Sequence, residues 1–354
     1  MDSQRLIKLM EESFLRDLIK NEEITDISYN GVSFFYLHNL YGRKQVFLPV
    51  EKSEISGFIR QIANMAQKQF SYSVPKLDVS FGKYRINAIH QSIGKVNNED
   101  SITFSIRIGS TNLHISPDCD FFPKEVSQLI DVLILSNKSI IIGGLTGSGK
   151  TEFQKYLLTR MPESTRLIII DNVLELDTNI SRDDLDINIW QSNEDNPETN
   201  IQSLVKNALR SNPDWLIVAE SRGAEMIETL NSALTGHPTI TTVHSLNAIS
   251  LPHRIGRMIM MNDKKMSFED VLSDVFYHFS IYFFLERKID EDGIVRRYVK
   301  EVVEYQSDGS YTLIYDKNRK NKFDYISNSF LSTLRIPEEF EEFKNAFIRK
   351  EKKR

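Results

Sequence analysis

Gly143-Gly144-Leu145-Thr146-Gly147-Ser148-Gly149-Lys150-Thr151 follows directly on the apolar run Ile140-Ile141-Ile142. From Gly144 it satisfies G-x-x-x-x-G-K-[ST] in full. The β-branched run predicts a strand, and the loop after it predicts a phosphate cradle. Glycines let the backbone wrap closely round an anion and turn its N–H groups inward. The helix expected over 152–160 adds the partial positive charge of its N-terminus. In this reading Gly144, Thr146, Gly147, Ser148 and Gly149 form the cradle, Lys150 reaches the β- and γ-phosphates, and Thr151 holds Mg²⁺. ATP and Mg²⁺ are therefore the expected ligands.

Three later segments say what accompanies the cradle. Leu167-Ile168-Ile169-Ile170-Asp171 reads as a buried strand that ends in acids, with Glu175 close behind. Ligands of an open α/β sheet lie beyond the carboxyl ends of its strands, so these acids are expected to face the phosphates, although capping of the next element is an equal alternative. Trp215-Leu216-Ile217-Val218-Ala219-Glu220-Ser221-Arg222-Gly223 is a second such strand, of Walker B type. Glu220 is placed to polarise a water, directly or through the magnesium shell, and Arg222 stands beside it. His237 and His244 bracket the β-branched run Thr239 to Val243. Their spacing does not suit two zinc ligands on one helical turn, and Cys119 is the single cysteine. One histidine that senses the γ-phosphate is expected, against the ordinary alternative of a satisfied core histidine.

In this order the cradle, the acidic box (Asp171 to Leu176), the Walker B strand and the histidine box (Thr235 to Ser245) resemble the secretion ATPases of type II and type IV secretion, conjugation and type IV pili. Pro213-Asp214 followed by Glu220-x-Arg222-Gly223, and Thr235-Gly236-His237 followed by Thr242-Val243-His244-Ser245, are the most specific matches. Upstream, Glu23 to Gly31, Gly82 to Ala88 and Ser101 to Arg107 resemble strands of that family's N-terminal domain. The resemblance implies a RecA-like catalytic domain working in a hexameric homo-oligomeric ring, with inner-membrane components of a secretion or pilus apparatus as partners. It also implies that Arg85 and Arg107 neutralise phosphate charge, in cis or from a neighbouring subunit. Asn172, Ala219 and Glu152 depart from common family residues without removing a required group; they leave Glu175 the more credible acid of its box. The chain looks closest to the compact type IV secretion or conjugation branch.

The 354 residues, 40% hydrophobic and 26% charged, are enough for two domains with proper cores. A net charge of -5 gives no overall electrostatic footprint for nucleic acid, so direct binding of DNA or RNA is not expected. One cysteine, no signal peptide and no spanning apolar run point to a cytoplasmic protein that meets the membrane through partners. Helical spacing from Leu6 to Ile19 predicts an amphipathic helix over 3–20, followed by short strands, a helix over 52–69 and further strands to Ile108. From Lys124 helices alternate with apolar strands, as a doubly wound parallel sheet requires. The expected organisation is α/β: an N-terminal α+β domain over 1–109, a linker over 110–123, and a RecA-like domain over 124–354. A basic cluster, Arg349 to Arg354, closes the chain. Two functions remain open at this point: an ATP-hydrolysing motor, and a nucleotide-binding regulatory or scaffold subunit with little turnover.

Overall fold

The computed structural model describes residues 3–109, 113, 115, 120–176, 182–194, 196–261 and 266–349. Cys119, much of the expected linker and all of the basic tail but Arg349 lie outside the described residues. The chain divides into two compact units, Met1–Asn112 with Ile289–Arg296, and Leu113–Lys288 with Arg297–Arg354.

The first unit opens with α1 (Ser3–Glu12), α2 (Arg16–Ile19), β1 (Ile24–Tyr29), β2 (Phe34–His38), β3 (Gly42–Val46) and α3 (Lys52–Met65). It continues with β4 (Lys76–Phe81), β5 (Tyr84–Ile89), β6 (Lys95–Val96), β7 (Glu99–Asp100) and β8 (Thr103–Ile108). Six strands pair antiparallel in the order β3-β2-β1-β8-β5-β4. Alternation decides the faces: Leu77, Val79 and Phe81 on β4 and Tyr84, Ile86 and Ala88 on β5 are buried, while Asp78 and Arg85 lie on the other side. The buried face meets Leu6, Met10, Ile55, Ile59 and Ile62 from the helices. The single helix expected over 3–20 breaks instead at Ser13. Its hydroxyl donates to the Met10 carbonyl at 2.7 Å and accepts the Leu15 N–H at 3.2 Å, which draws both groups away from the helical ladder.

The second unit runs α4 (Lys124–Leu135), β9 (Ile140–Gly144), α5 (Lys150–Thr159), β10 (Arg166–Asp171), β11 (Asp186–Gln191), α6 (Ile201–Ala208), β12 (Trp215–Val218), α7 (Met226–Leu234) and β13 (Thr239–Val243). It ends with α8 (Leu251–Ile259), α9 (Phe268–His278), β14 (Ile281–Ile289), β15 (Val295–Tyr305), β16 (Tyr311–Asp316), α10 (Asn328–Leu331) and α11 (Glu341–Phe347). Eight strands form one sheet in the order β11-β10-β12-β13-β9-β14-β15-β16. Parallel pairing from β11 to β14 aligns the carboxyl ends of these strands on one edge. Helices cover both faces, so β9 and β12 are buried throughout and read as continuous apolar runs rather than alternating ones. Among the described residues no helix is long and apolar enough to cross a membrane.

Beyond Tyr305 the sequence gives little periodic signal, yet the chain stays ordered. β16 pairs antiparallel with β15, and α11 returns to α4. Phe343 and Phe347 are fully buried there. The Phe343 N–H donates to Gln128 Oε1 at 2.8 Å, and Gln128 Nε2 donates to Glu342 at 3.0 Å. Upstream, the buried Glu304 accepts the Ser327 N–H at 2.9 Å and the Ser327 hydroxyl. This arm completes the core over α4. Phe343→Ala should cost about 3–5 kcal/mol by leaving a cavity, read as a lowered urea midpoint at unchanged slope; a midpoint equal to that of the wild type would mean that the arm is not part of the cooperative core.

Candidate active site

β9 ends between β13 and β14, and its last two residues have no side chain for a physical reason. A Cβ on Gly143 would lie 2.6 Å from Leu251 Cδ1, and one on Gly144 2.8 Å from the Leu285 carbonyl oxygen. Only glycine lets the strand pass its neighbours so closely. Gly149, at φ 94°, turns the chain through the left-handed region into α5, which begins at Lys150. Phe153, Tyr156 and Leu157 then pin α5 to the sheet, with the Phe153 and Phe283 rings 5.3 Å apart.

The Lys150 ammonium folds back and donates to the Gly144 and Leu145 carbonyls at 3.0 and 3.2 Å. Phosphate oxygens would be stronger acceptors than these neutral carbonyls, since charge-assisted bonds are roughly twice as strong. Ser148 is buried and its Oγ has no hydrogen-bond partner among the described residues. A left-handed glycine, a helix N-terminus, a cation held on neutral carbonyls and an orphan buried hydroxyl fit a nucleotide phosphate chain. Thr151 on the first turn of α5 fits Mg²⁺, which is usually held by few protein groups together with substrate phosphates.

Glu220 follows β12 and is fastened by a polar lattice. The Ser221 N–H donates to the Thr242 carbonyl at 2.9 Å, and the Thr242 hydroxyl donates to the Ala219 carbonyl at 2.8 Å. The Ser221 and Thr241 hydroxyls lie 2.9 Å apart, and Gln154 Nε2 reaches from α5 to the Val218 carbonyl at 3.2 Å. The carboxylate is gripped from two sides, by Arg222 Nη2 at 2.7 Å and by His244 Nε2 at 2.7 Å. Burial pushes the Glu220 carboxyl up, but the hydrogen bond and charge of Arg222, with His244 and Lys150, outweigh it and hold the group below the ordinary carboxylate value. Burial first, then Lys150, pushes His244 below the ordinary histidine value against the pull of Glu220. Glu220 Oε1, which faces the ring, is buried and makes no hydrogen bond among the described residues.

Lys150, Glu220, Arg222 and His244 thus share one electrostatic neighbourhood, and Arg222 also feels the charge of Glu175. Asp171 has a different task. It is buried and accepts the Val173 and Leu176 N–H groups at 3.0 Å each, shaping the turn that carries Glu175. His237 lies at the amino end of β13, within 3.1 Å of the Thr235 hydroxyl, whereas the cradle lies at the carboxyl ends. His244 follows the carboxyl end of β13, on the side of the cradle, and His237 precedes its amino end. Arg85 and Arg107 belong to the first unit, where they are register partners across β5 and β8, and Arg85 stands 3.5 Å from Asp78. Sequence reasoning missed Gln154, Ser221, Thr241 and Thr242 as positioning residues, although the last three lie inside or beside the motifs. Arg287 and Arg297, which carry no motif signal, border the loop. Arg297 Nε donates to the Gly147 carbonyl at 2.8 Å.

The family model for type II/IV secretion system proteins matches residues 102–275. Over 347 residues the chain is 30% identical to the uncharacterized protein pXO2-25 of Bacillus anthracis, covering 94% of this chain and 75% of that one. It is 32% identical over 126 residues to the type IV secretion system protein VirB11 of Brucella suis, a stretch that spans 35% of each protein. The Legionella pneumophila ATPase DotB shares the fold with a TM-score of 0.60 at 20% identity, over 87% of this chain and 82% of that one. The pilus retraction motor PilT, solved with ADP, gives 0.52 at 19% identity, over 84% and 81%. The architecture is accordingly a RecA-like α/β domain with a smaller N-terminal domain. The family match covers the very residues that build the cradle and the Glu220 clamp, and the chain belongs to the type II/IV secretion system family of traffic ATPases.

Proposed function

We propose that this chain hydrolyses ATP as one subunit of a hexameric ring, and that the ring drives a type IV secretion, conjugation or related type II secretion or pilus apparatus. The observation that carries the reading is the Glu220 carboxylate, braced at 2.7 Å by Arg222 and by His244 within the field of Lys150. A carboxylate fixed in this way orients a water without having to reorganise, which is most of what phosphoryl transfer asks of a protein. Lys150 exchanges loop carbonyls for β- and γ-phosphate oxygens, and Glu220 accepts a hydrogen bond from the attacking water. His244 lies beside it, and Glu175 is the supporting acid. Mg²⁺, held by Thr151 and through water by Glu220, supplies charge neutralisation when bound.

In this proposal residues 1–109 and 124–354 act as two domains joined by 110–123, and Arg85 and Arg107 come to the γ-phosphate by domain closure or from a neighbouring chain. Their positive charge stabilises the transition state more than the ground state. The subunit works at the cytoplasmic face of a membrane through inner-membrane partners, without binding nucleic acid directly.

Lys150→Ala should abolish ATP binding and turnover in a folded protein; undiminished binding by calorimetry would overturn the cradle assignment. Glu220→Gln should keep ATP binding and lower turnover by about 10² or more, and near-normal turnover would move the chemistry to Glu175. Specific activity should rise with protein concentration as rings form, and Arg85→Ala or Arg107→Ala should lower kcat far more than ATP affinity. Concentration-independent turnover by a species that light scattering shows to be a monomer would exclude the ring mechanism.

A further inference from the structure

The cradle has two flanks. β13 borders β9 on one side and β14 on the other, and the groups assigned to the γ-phosphate, Glu220 and His244, both lie on the β13 side. A phosphate chain seated in the loop with its γ end there must run its nucleoside end toward β14. β14 continues past its last rung with β9, Leu285 opposite Gly144, and β15 folds back beside it. Two residues beyond Leu285, on the same face of the strand, stands Arg287. Its Cδ lies 3.7 Å from the position a Cβ would take on Gly147, so its stem packs on that glycine. Arg297 enters from β15, donates to the Gly147 carbonyl at 2.8 Å, and passes its Cδ 3.6 Å from the corresponding position on Gly149. The loop is backed there by the buried Phe121, whose carbonyl accepts the Val299 N–H at 2.8 Å. Neither arginine belongs to any of the four motifs, yet both guanidinium stems border the phosphate loop itself, on the flank away from the chemistry.

We propose that Arg287 and Arg297 form a cationic wall on the nucleoside side of the cradle and bind the α-phosphate of ADP and ATP alike. This rests on the nucleotide reading above and assigns the two residues to binding, not to the chemical step. A guanidinium fork suits a phosphate oxygen pair, and a contact to a group present in both substrate and product strengthens ground and transition state equally. Loss of such a contact raises KM and leaves kcat nearly alone, the reverse of what Glu220→Gln does.

The test is calorimetric titration of the full-length chain with ADP and with ATP, together with steady-state hydrolysis, for wild type, Arg297→Ala, Arg297→Lys and Arg287→Ala. Arg297→Ala should raise Kd for both nucleotides, and KM, by about tenfold with kcat within about threefold of wild type. Arg297→Lys, which keeps charge without the fork, should fall between the two. Arg287→Ala should act in the same direction and stands in if Arg297→Ala does not fold. If Kd for ADP and ATP stayed within twofold of wild type in both alanine variants, the wall does not exist. A kcat loss greater than tenfold would make Arg297 a brace of the loop and overturn the assignment while leaving the ATPase reading intact. Wild-type protein that bound neither nucleotide would overturn both.

Discussion

β9 must end in residues that have no side chain, and the rest of the site follows from that. Leu251 closes on one face of the strand, while the Leu285 carbonyl and Ser148 close on the other, so Gly143 and Gly144 pass between neighbours with no room for a Cβ. Because the strand is buried on both faces and paired in parallel with β13 and β14, it cannot slide to relieve the contact. The turn into α5 is thereby fixed relative to the carboxyl ends of its neighbours. A helix N-terminus, the Lys150 ammonium and the Glu220 carboxylate come to face one small volume without any of them reaching far.

Electrostatics then divides that volume. On the β13 side a carboxyl group is held below its ordinary value against its own burial by Arg222, His244 and Lys150, and a histidine is pushed below its ordinary value by burial and the same lysine. Each of these shifts depends on the others, so the group cannot be dismantled residue by residue without disturbing the pKa values of what remains. On the β14 side Arg297 donates to a loop carbonyl, and Arg287 packs by its stem.

What was legible in the sequence was local and dense in constraint. The loop from Gly144 to Thr151, Glu220 at a strand end and the continuous apolar runs of a buried parallel sheet each fix chemistry within a few residues. Position along a strand was not legible. His237 and His244 bracket one apolar run, and only the parallel pairing of β13 with β9 puts its carboxyl end, and His244 after it, on the side of the cradle. Asp171 and Glu175 could not be ranked by pattern beyond a departure from common usage; geometry shows Asp171 spent on two backbone N–H groups. The break at Ser13 depends on a hydroxyl competing with the helical ladder, which periodicity cannot register. The arm from β16 to α11 escaped because Phe343 and Phe347 find their partners some two hundred residues upstream, at α4.

Arg287 and Arg297 show the same limit at the site itself. A motif exists where function requires adjacent residues at fixed spacing, as in the cradle, where successive backbone N–H groups must converge on one anion. A wall built by two strands that fold back on each other requires only that each strand bring one long cation to the right height, and the spacing between the two is set by the turn at 290–294 rather than by the ligand. Many sequences satisfy that, so none stands out.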